Sequence, residues 1–243
     1  MKSKVRILLI GPNGQMGRAV STAAESEFDL VIAARCERGD ALEEEMTNVD
    51  VAIDFTQPDA TELICTAAIK NKLPLVIGTT GHSSEQRGKI QEAAKDVPVV
   101  YSPNFSVGVN TLFWLVRKTA ELLGDGFDLE IVEMHHRLKK DAPSGTAKKL
   151  TEILMETREI DKVRHGRDGN MGERLDTEIG IHAIRGGDVV GDHTVIFAGP
   201  SERLELTHRA SSRDTFARGA LRAAQWIVGK PAGLYSMQDV LGL

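Results

Sequence analysis

Apolar positions in the first hundred residues form short hydrophobic runs that are separated by amphipathic stretches. Short continuous apolar runs are typical of strands that are buried on both faces of a parallel sheet. We predict five such strands, at residues 5–10, 30–34, 50–55, 75–77 and 97–101. Helical patterns lie between them, at residues 18–26, 60–70 and 84–95. Strands and helices that alternate in this way predict an α/β architecture with a doubly wound parallel sheet.

The pattern changes near residue 106, where we place a domain boundary. We predict helices at residues 109–123, 147–157 and 215–228. We predict strands at residues 129–134, 178–184, 192–198 and 203–210. Residues 158–176 are polar, contain glycine and show no period, so we predict a loop there. This second part of the chain is therefore predicted to be a smaller α+β domain with a mixed sheet.

Composition and charge narrow the class of protein. A chain of 243 residues fits one large domain or two modest ones, and its net charge of −5 argues against a nucleic-acid partner. No apolar run approaches the roughly 20 residues of a membrane span, and the N-terminus lacks the pattern of a signal peptide. We therefore expect a cytoplasmic protein without a membrane partner, in which Cys36 and Cys65 are reduced thiols.

A glycine-rich segment, LLIGPNGQMGRAV, follows the first predicted strand and leads into a helix. Gly11, Gly14 and Gly17 would let the backbone turn sharply and approach a pyrophosphate, which the N–H groups of the helix start can bind. The alternative is a glycine-rich turn without a ligand. The position of the motif after the first strand of an α/β pattern favours dinucleotide binding.

The end of the second predicted strand bears on the choice of dinucleotide. An acidic residue there suits the ribose hydroxyls of NAD, whereas arginine suits the 2′-phosphate of NADP. The sequence contains both, since Arg35 is expected directly after the strand and Glu37 and Arg38 follow it. We assign Arg35 to the phosphate, while solvated loop charges remain the alternative.

Loops after the later strands carry further candidates for the cofactor. Ligands in such sheets lie beyond the carboxyl ends of the strands, so Gly78, Thr79 and Thr80 are placed to approach the nicotinamide ribose. Asn104 is placed to hydrogen-bond the carboxamide. Turn formation alone is the alternative, because Gly, Thr, Pro and Asn are common turn residues.

Residues 135–147, HHRLKKDAPSGTA, concentrate positive charge beside a predicted helix start. The N–H groups at that start form an anion site that suits a carboxylate, and His136 and Lys139 add charge-assisted donors. A metal site is not expected, because adjacent His135 and His136 would point to opposite faces of a strand. The combination favours a binding site for a small anionic substrate.

The wider stretch at residues 130–147, EIVEMHHRLKKDAPSGTA, resembles a signature of the dihydrodipicolinate reductase (4-hydroxy-tetrahydrodipicolinate reductase) family. Other segments are similar to that family's motifs and occur in the same order: GPNGQMGR at 11–18, IDFTQP at 53–58, VIGTTG at 76–81, NFSVGVN at 104–110, GDVVGDHTV at 187–195 and ASSRDTFARGA at 210–220. The resemblance implies a Rossmann-like dinucleotide-binding domain at residues 1–106, to which residues 215–243 return. It implies a substrate-binding domain at residues 107–214 that also forms a homotetramer.

The resemblance also implies roles for residues that match the motifs. His135 is expected to be the general acid or base, and Lys139 the second proton donor. The substrate carboxylates are expected to contact His136, Lys139, Gly145 and Thr146. With Arg35, which comes from the strand-end argument, the expected cofactor contacts are Gly11, Pro12, Asn13, Gly14, Gln15, Met16, Gly78, Thr79, Thr80, Ser102, Pro103, Asn104 and Phe105.

The activity implied by the resemblance is the reduction of a cyclic dicarboxylate, 4-hydroxy-tetrahydrodipicolinate, to tetrahydrodipicolinate with NADPH or NADH. This reaction belongs to diaminopimelate and lysine biosynthesis. Gln57 stands where some members carry arginine, and Arg35 stands where an acid is expected, so the preferred cofactor is left open. The alternatives are another NAD(P)-dependent reductase with the same two domains, and a dinucleotide-sensing regulator, which would not need the His135 and Lys139 pair.

Overall fold

The computed structural model describes residues 4–243, which divide into two compact units. The chain up to Val107 and Arg213–Leu243 form the first unit, and Gly108–Ser212 form the second. No helix within the described residues is long and apolar enough to cross a membrane. The strands are β1 (Val5–Ile10), β2 (Leu30–Cys36), β3 (Val51–Asp54), β4 (Leu75–Ile77), β5 (Pro98–Tyr101), β6 (Asp128–His135), β7 (Lys162–His165), β8 (Glu178–Arg185), β9 (Gly191–Ala198), β10 (Arg203–Ala210) and β11 (Gly233–Tyr235). The α-helices are α1 (Gln15–Glu25), α2 (Leu42–Glu45), α3 (Thr61–Asn71), α4 (Ser84–Ala93), α5 (Val107–Leu123), α6 (Gly145–Arg158), α7 (Asp214–Ile227) and α8 (Met237–Leu241).

The first unit is built on a parallel sheet of six strands in the order β11-β5-β4-β3-β1-β2. Successive residues of a strand face opposite sides of the sheet, and both sides of β1 are buried. Ile7 and Leu9 face a core that includes residues of α1, α7 and α8. Leu8 and Ile10 face a second core that includes residues of α2, α3 and α4. The predicted doubly wound parallel sheet is confirmed, and β11 adds a sixth strand that the sequence analysis did not predict.

The second unit has a mixed five-stranded sheet in the order β10-β9-β6-β8-β7. β6 runs antiparallel to β9 and parallel to β8, and residues of α5 and α6 pack against one face in a single core. The predicted α+β unit with a mixed sheet is confirmed. The prediction of a loop over all of residues 158–176 was wrong, because β7 lies within it and pairs with β8. β7 is a short edge strand with little apolar content, so its backbone pairing leaves no hydrophobic period in the sequence.

The alternation of β6 determines where polar groups enter the second unit. Leu129 and Ile131 belong to the core beneath the helices. With a period of two, Glu133 and His135 extend the same face of the strand, and both side chains are buried. The carboxylate and the imidazole therefore lie between the hydrophobic core and the carboxyl end of β6.

Candidate functional site

In the first unit, the glycine-rich loop lies where the order of the strands reverses. β1 has β2 on one side and β3 on the other, and ligands of open α/β sheets bind beyond the strand ends at such a point. A cavity of about 420 Å³ lies there. Its lining includes Gly11, Gly14, Glu37, Arg38, Phe55, Thr56 and Gln57.

The turn from β1 into α1 requires glycine at two positions. Gly11 has a φ of 79°, and a Cβ added to Gly17 would lie 2.2 Å from the carbonyl oxygen of Gly11. α1 begins at Gln15, three residues earlier than predicted. Its N-cap residue is Gly14, so no side-chain hydrogen bond caps the helix. The first N–H groups of a helix have no partner within the helix, so this turn can bring an anion close to the backbone. The geometry fits a pyrophosphate.

Two charged residues that line the cavity, Glu37 and Arg38, come directly after the end of β2. Glu37 Oε1 accepts a hydrogen bond from the backbone N–H of the exposed Asn13 at 2.9 Å, across the loop that contains the buried Pro12. Arg38 is exposed beside Glu37 and also lines the cavity. A ribose hydroxyl and a phosphate are the groups that such a carboxylate and guanidinium bind.

Arg35 does not follow β2, as the sequence analysis expected, but lies inside it, because the strand continues to Cys36. The pairing register with β1 shifts by one residue beyond Ile32, and the pairing continues to Cys36. β2 is the edge strand of the sheet, so the exposed guanidinium of Arg35 is tolerated there. The cavity lining that the structure describes does not include Arg35.

The loop after β4 packs against the end of β3. A Cβ added to Gly78 would lie 2.2 Å from the ring of Phe55, so only glycine allows this approach. The buried Thr79 accepts a hydrogen bond from the backbone N–H of Thr56 through its hydroxyl oxygen at 2.9 Å, and the next residue, Thr80, is exposed. The three residues predicted from this loop therefore lie beside a strand end that lines the cavity.

The loop after β5 is held by its own side chains. The Ser102 hydroxyl donates to the carbonyl oxygen of Asn104 at 2.7 Å, and Asn104 Oδ1 accepts from the backbone N–H of Ser106 at 2.9 Å. Pro103 is exposed, whereas Phe105 is buried in edge contact with Phe55. These residues share the carboxyl edge of the sheet with the glycine-rich loop.

In the second unit, a buried carboxylate orients the predicted catalytic imidazole. Glu133 Oε2 lies 2.6 Å from His135 Nδ1, and neither side chain is appreciably exposed. Arg185, at the end of β8, donates to both carboxylate oxygens of Glu133 at 2.8 Å. The backbone N–H of Ser144 adds a further hydrogen bond to Glu133 Oε1, at 3.1 Å. With Nδ1 of His135 bound to this carboxylate, Nε2 is the ring nitrogen that can exchange a proton with a ligand.

Charge and burial set the protonation of this pair. Burial by itself raises the pKa of Glu133, but the hydrogen bonds from Arg185 and His135 outweigh it, so the carboxyl keeps a pKa below its usual range. Burial lowers the pKa of His135, and the Glu133 carboxylate offsets part of that effect. The pair therefore combines a carboxylate that is held in its charged form with an imidazole that binds its second proton weakly.

Helix α6 starts beside this pair. Ser144 precedes the helix, and its Oγ accepts the backbone N–H of Ala147 at 3.1 Å, which caps the first turn. Gly145 and Thr146 are the first two residues of the helix, so their amides lie at its positive end. The predicted anion site is thus adjacent to the segment that follows His135.

Two other predicted residues lie on the segment between β6 and α6. The half-buried Lys139 pairs with Asp141 at 2.8 Å through its Nζ, which leaves the ammonium within a short polar turn. The backbone N–H of the half-buried His136 donates to the carbonyl oxygen of Val189 at 2.7 Å. Within residues 4–243, no three His, Cys, Asp or Glu side chains are grouped so that they could hold a metal ion.

Three residues of the site were missed by the sequence analysis: Glu133, Arg185 and His193. His193, on β9, is buried, and its Nε2 lies 2.9 Å from Ser144 Oγ. The available signal was the alternation in β6, which places Glu133 and His135 on the face that buries Leu129 and Ile131. The resemblance at residues 187–195 marked the segment that contains His193, but only strand pairing shows that β8 and β9 bring Arg185 and His193 to Glu133.

Comparisons with known proteins agree with this arrangement. Residues 5–105 match the family model of dihydrodipicolinate reductase, N-terminus, and residues 108–241 match that of its C-terminus. The curated 4-hydroxy-tetrahydrodipicolinate reductase of Akkermansia muciniphila is 51% identical over 242 residues, which cover 98% of both chains. That of Syntrophotalea carbinolica is 43% identical over 266 residues, which cover 98% of this chain and 99% of the relative.

Solved structures share the fold. A dipicolinate-bound dihydrodipicolinate reductase from Paenisporosarcina sp. TG-14 superposes with a TM-score of 0.80 at 24% identity, over 97% of this chain and 98% of that one. A DAP dehydrogenase of C. glutamicum in complex with DAP gives a TM-score of 0.60 at 12% identity, over 98% of this chain and 94% of that one.

Proposed function

The chain belongs to the dihydrodipicolinate reductase family, and we propose on that premise that it reduces 4-hydroxy-tetrahydrodipicolinate to tetrahydrodipicolinate. The reaction takes one hydride and one proton and releases water. It serves diaminopimelate and lysine biosynthesis. The observation that carries the proposal is the buried Glu133–His135 pair beside the start of α6, since it joins a proton-exchanging nitrogen to an anion site.

The cofactor is NADPH or NADH, which supplies the hydride when it is bound. The residues of the first unit fit it, because the turn at Gly11 and Gly17 admits no side chain and the cavity beside it is lined by Glu37 and Arg38. We assign the pyrophosphate to the first turn of α1 and the adenosine ribose to Glu37. The 2′-phosphate of NADPH is assigned to an arginine at the end of β2, either Arg38 or the originally expected Arg35.

In the second unit, the residues position the substrate and move the proton. The amides of Gly145 and Thr146 bind one carboxylate at the positive end of α6, and His136 and Lys139 bind substrate from the adjoining segment. His135 Nε2 gains its second proton as the negative substrate arrives, because a nearby anion favours the imidazolium. It then supplies that proton while Glu133 holds the ring in place. Lys139, the second proton donor, protonates the departing hydroxyl, and the proton that the ring loses in the same dehydration keeps the net uptake at one.

One assay tests the proposal. Purified protein is mixed with NADPH or NADH and freshly prepared 4-hydroxy-tetrahydrodipicolinate, and oxidation of the cofactor is followed together with the product. Turnover that requires the substrate is expected. Oxidation with other cyclic imines but not with this substrate would indicate a different reductase of the same architecture, and cofactor binding without turnover on any of them would indicate a sensor.

The family also supports a homotetramer that works in the cytoplasm. α5 and α6 cover one face of the second sheet, whereas the opposite face carries partly exposed apolar side chains, including Val132, Met134 and Ile184. We assign this face to contacts between copies of the chain. Light scattering on the purified protein is expected to give a mass of four chains.

A further inference from the structure

His193 is a second histidine at the site, and it lies close to His135. The rings make an edge contact, with centroids 5.1 Å apart and an angle of 74° between the planes. His193 stands opposite Glu133 in the pairing of β6 with β9, so the sheet register fixes this contact. Only 4% of the residue is exposed. Burying a polar ring lowers stability, so a buried histidine in this position is expected to serve the site.

The hydrogen bonds around Ser144 favour one tautomer of His193. Ser144 Oγ already accepts the N–H of Ala147, and its own proton has an acceptor at 2.9 Å if His193 Nε2 is unprotonated. If Nε2 carried the proton, the Ser144 hydroxyl would have no acceptor among the described residues. A neutral His193 with an unprotonated Nε2 therefore satisfies the Ser144 hydroxyl, whereas the buried Nδ1 has no hydrogen-bond partner within the described residues.

We propose that His193 is a positioning residue of the reductase, which holds the Ser144 hydroxyl so that Ser144 fixes both the start of α6 and the Glu133–His135 pair. The argument rests on the proposed function for its catalytic consequence. Ser144 acts in two directions: its Oγ caps α6 at Ala147, and its N–H binds the carboxylate of Glu133. A hydroxyl fixed by His193 keeps the amides that bind substrate in register with the imidazole that supplies the proton.

The surroundings keep His193 in the required form. Burial, followed by the nearby His135, lowers the pKa of His193 to about 3, while Glu133 acts in the opposite direction and His208 and Lys139 add to the lowering. His193 therefore stays neutral when His135 takes up a proton. Two adjacent imidazolium rings are avoided, and the bond to Ser144 persists through the catalytic cycle.

The test compares two neutral substitutions of different length. In His193→Gln, the amide oxygen can occupy the place of Nε2 and accept from Ser144. In His193→Asn, the shorter amide reaches only the place of Nδ1, so Ser144 loses its acceptor. We expect kcat/KM for the substrate to fall about 10- to 100-fold in His193→Asn, as misplacement of reacting groups commonly costs, and to stay near wild type in His193→Gln. His165→Asn, at an exposed position of β7, controls for the loss of a histidine.

Two further measurements separate positioning from a general loss of stability. Ser144→Ala should resemble His193→Asn, and the double variant should be little worse than either single one, since both remove the same contact. Hydrogen exchange at the backbone N–H of Ala147 should accelerate in His193→Asn but not in His193→Gln. Hydrogen exchange needs no turnover, so it tests the positioning role of His193 independently of the reaction. Failure of the wild-type chain to reduce the substrate would overturn the proposed function and not the positioning role. Equal kcat/KM and equal exchange rates in the Asn and Gln variants would overturn the assignment of His193. So would a double variant whose loss of kcat/KM equals the product of the losses in Ser144→Ala and His193→Asn.

Discussion

At the scale of single residues, His135 and Lys139 are expected to fail in different ways. His135→Ala should lower kcat by about 10²- to 10⁴-fold with little change in KM, because it removes a general acid that contributes little to binding. Lys139→Ala should lower kcat and raise KM together, because a carboxylate contact and a proton donor are both lost. Steady-state kinetics measures both effects, and fluorescence titration should show unchanged NADPH binding. Full activity of Lys139→Ala would contradict the assignment of residues 135–147 to the substrate.

Gly191 controls access to the reactive nitrogen of His135. A Cβ added there would lie 2.9 Å from His135 Nε2, which is too close for the ring to stay in place. Gly191→Ala should therefore lower kcat by about 10-fold or more, since small displacements of a catalytic group are costly. Gly126→Ala is the matched control in the same unit, because a Cβ there meets no atom within 4 Å. Equal activity of the two variants would show that Nε2 does not need this space.

Arg35 and Arg38 give opposite predictions for recognition of the 2′-phosphate. Since Arg38 lines the cavity and Arg35 lies within β2, we expect Arg38→Ala to raise the KM for NADPH more than the KM for NADH. A guanidinium pairs with a phosphate that only NADPH carries. Arg35→Ala serves as the comparison, and a larger NADPH-specific effect in that variant would restore the assignment made from sequence.

At the scale of elements, α4 offers a test of helix propensity and capping. Gly88 is an exposed residue within this helix, and a Cβ there would meet no atom within 4 Å. Gly88→Ala should raise the free energy of unfolding by about 0.5–1 kcal/mol, because alanine loses less backbone entropy in a helix. Ser83→Ala on the same helix should lower it by about 1 kcal/mol, because Ser83 caps the backbone N–H of Gln86. Urea unfolding with an unchanged slope checks both changes, and a destabilised Gly88→Ala variant would rule out the propensity argument.

The elements also show how far sequence reasoning reaches. Buried parallel strands such as β1 leave continuous apolar runs, so the first sheet was largely predictable. β11 has three residues and β7 has four, and each acquires its identity only by pairing with a neighbour, which leaves no period to detect. The same limit applies to the site. His135 and Lys139 share one segment, whereas Arg185 and His193 are brought to Glu133 by the pairing of β6 with β8 and β9, which lie much later in the sequence.

At the scale of the whole molecule, the buried His193 and the half-buried Glu130 of the second unit predict sensitivity to acid. The pKa of His193 is lowered from 6.5 to about 3. Between these pH values, His193 binds a proton in the unfolded chain but not in the folded chain. Stability therefore falls as pH falls through this window, by up to about 1.4 kcal/mol per pH unit. Burial raises the pKa of Glu130, but hydrogen bonds from Arg167 and His182 lower it to about 2. The stability that the charged Glu130 contributes is therefore also lost as pH falls below about 4.5.

Urea unfolding from about pH 7 to about pH 4 measures this effect. The stability advantage of the wild type over His193→Gln should shrink as pH falls, because the variant lacks the titrating ring. The exposed His165→Gln should run parallel to the wild type. A constant gap between wild type and His193→Gln would mean that His193 does not titrate as described.

The late position of α7 and β11 in the chain has a consequence for synthesis on the ribosome. β11 pairs with β5, and α7 supplies Ala217, Ala220 and Ile227 to the core that also contains Ile7 and Leu9 of β1. The sheet made first is therefore completed last, after residues 108–212 have emerged and can form their own sheet. Until α7 and β11 leave the exit tunnel, the side of the first sheet that packs against α1 and α7 is only partly covered. The part of the chain that is translated earliest is thus the part whose fold is completed last, whereas the inserted unit can complete its fold before it.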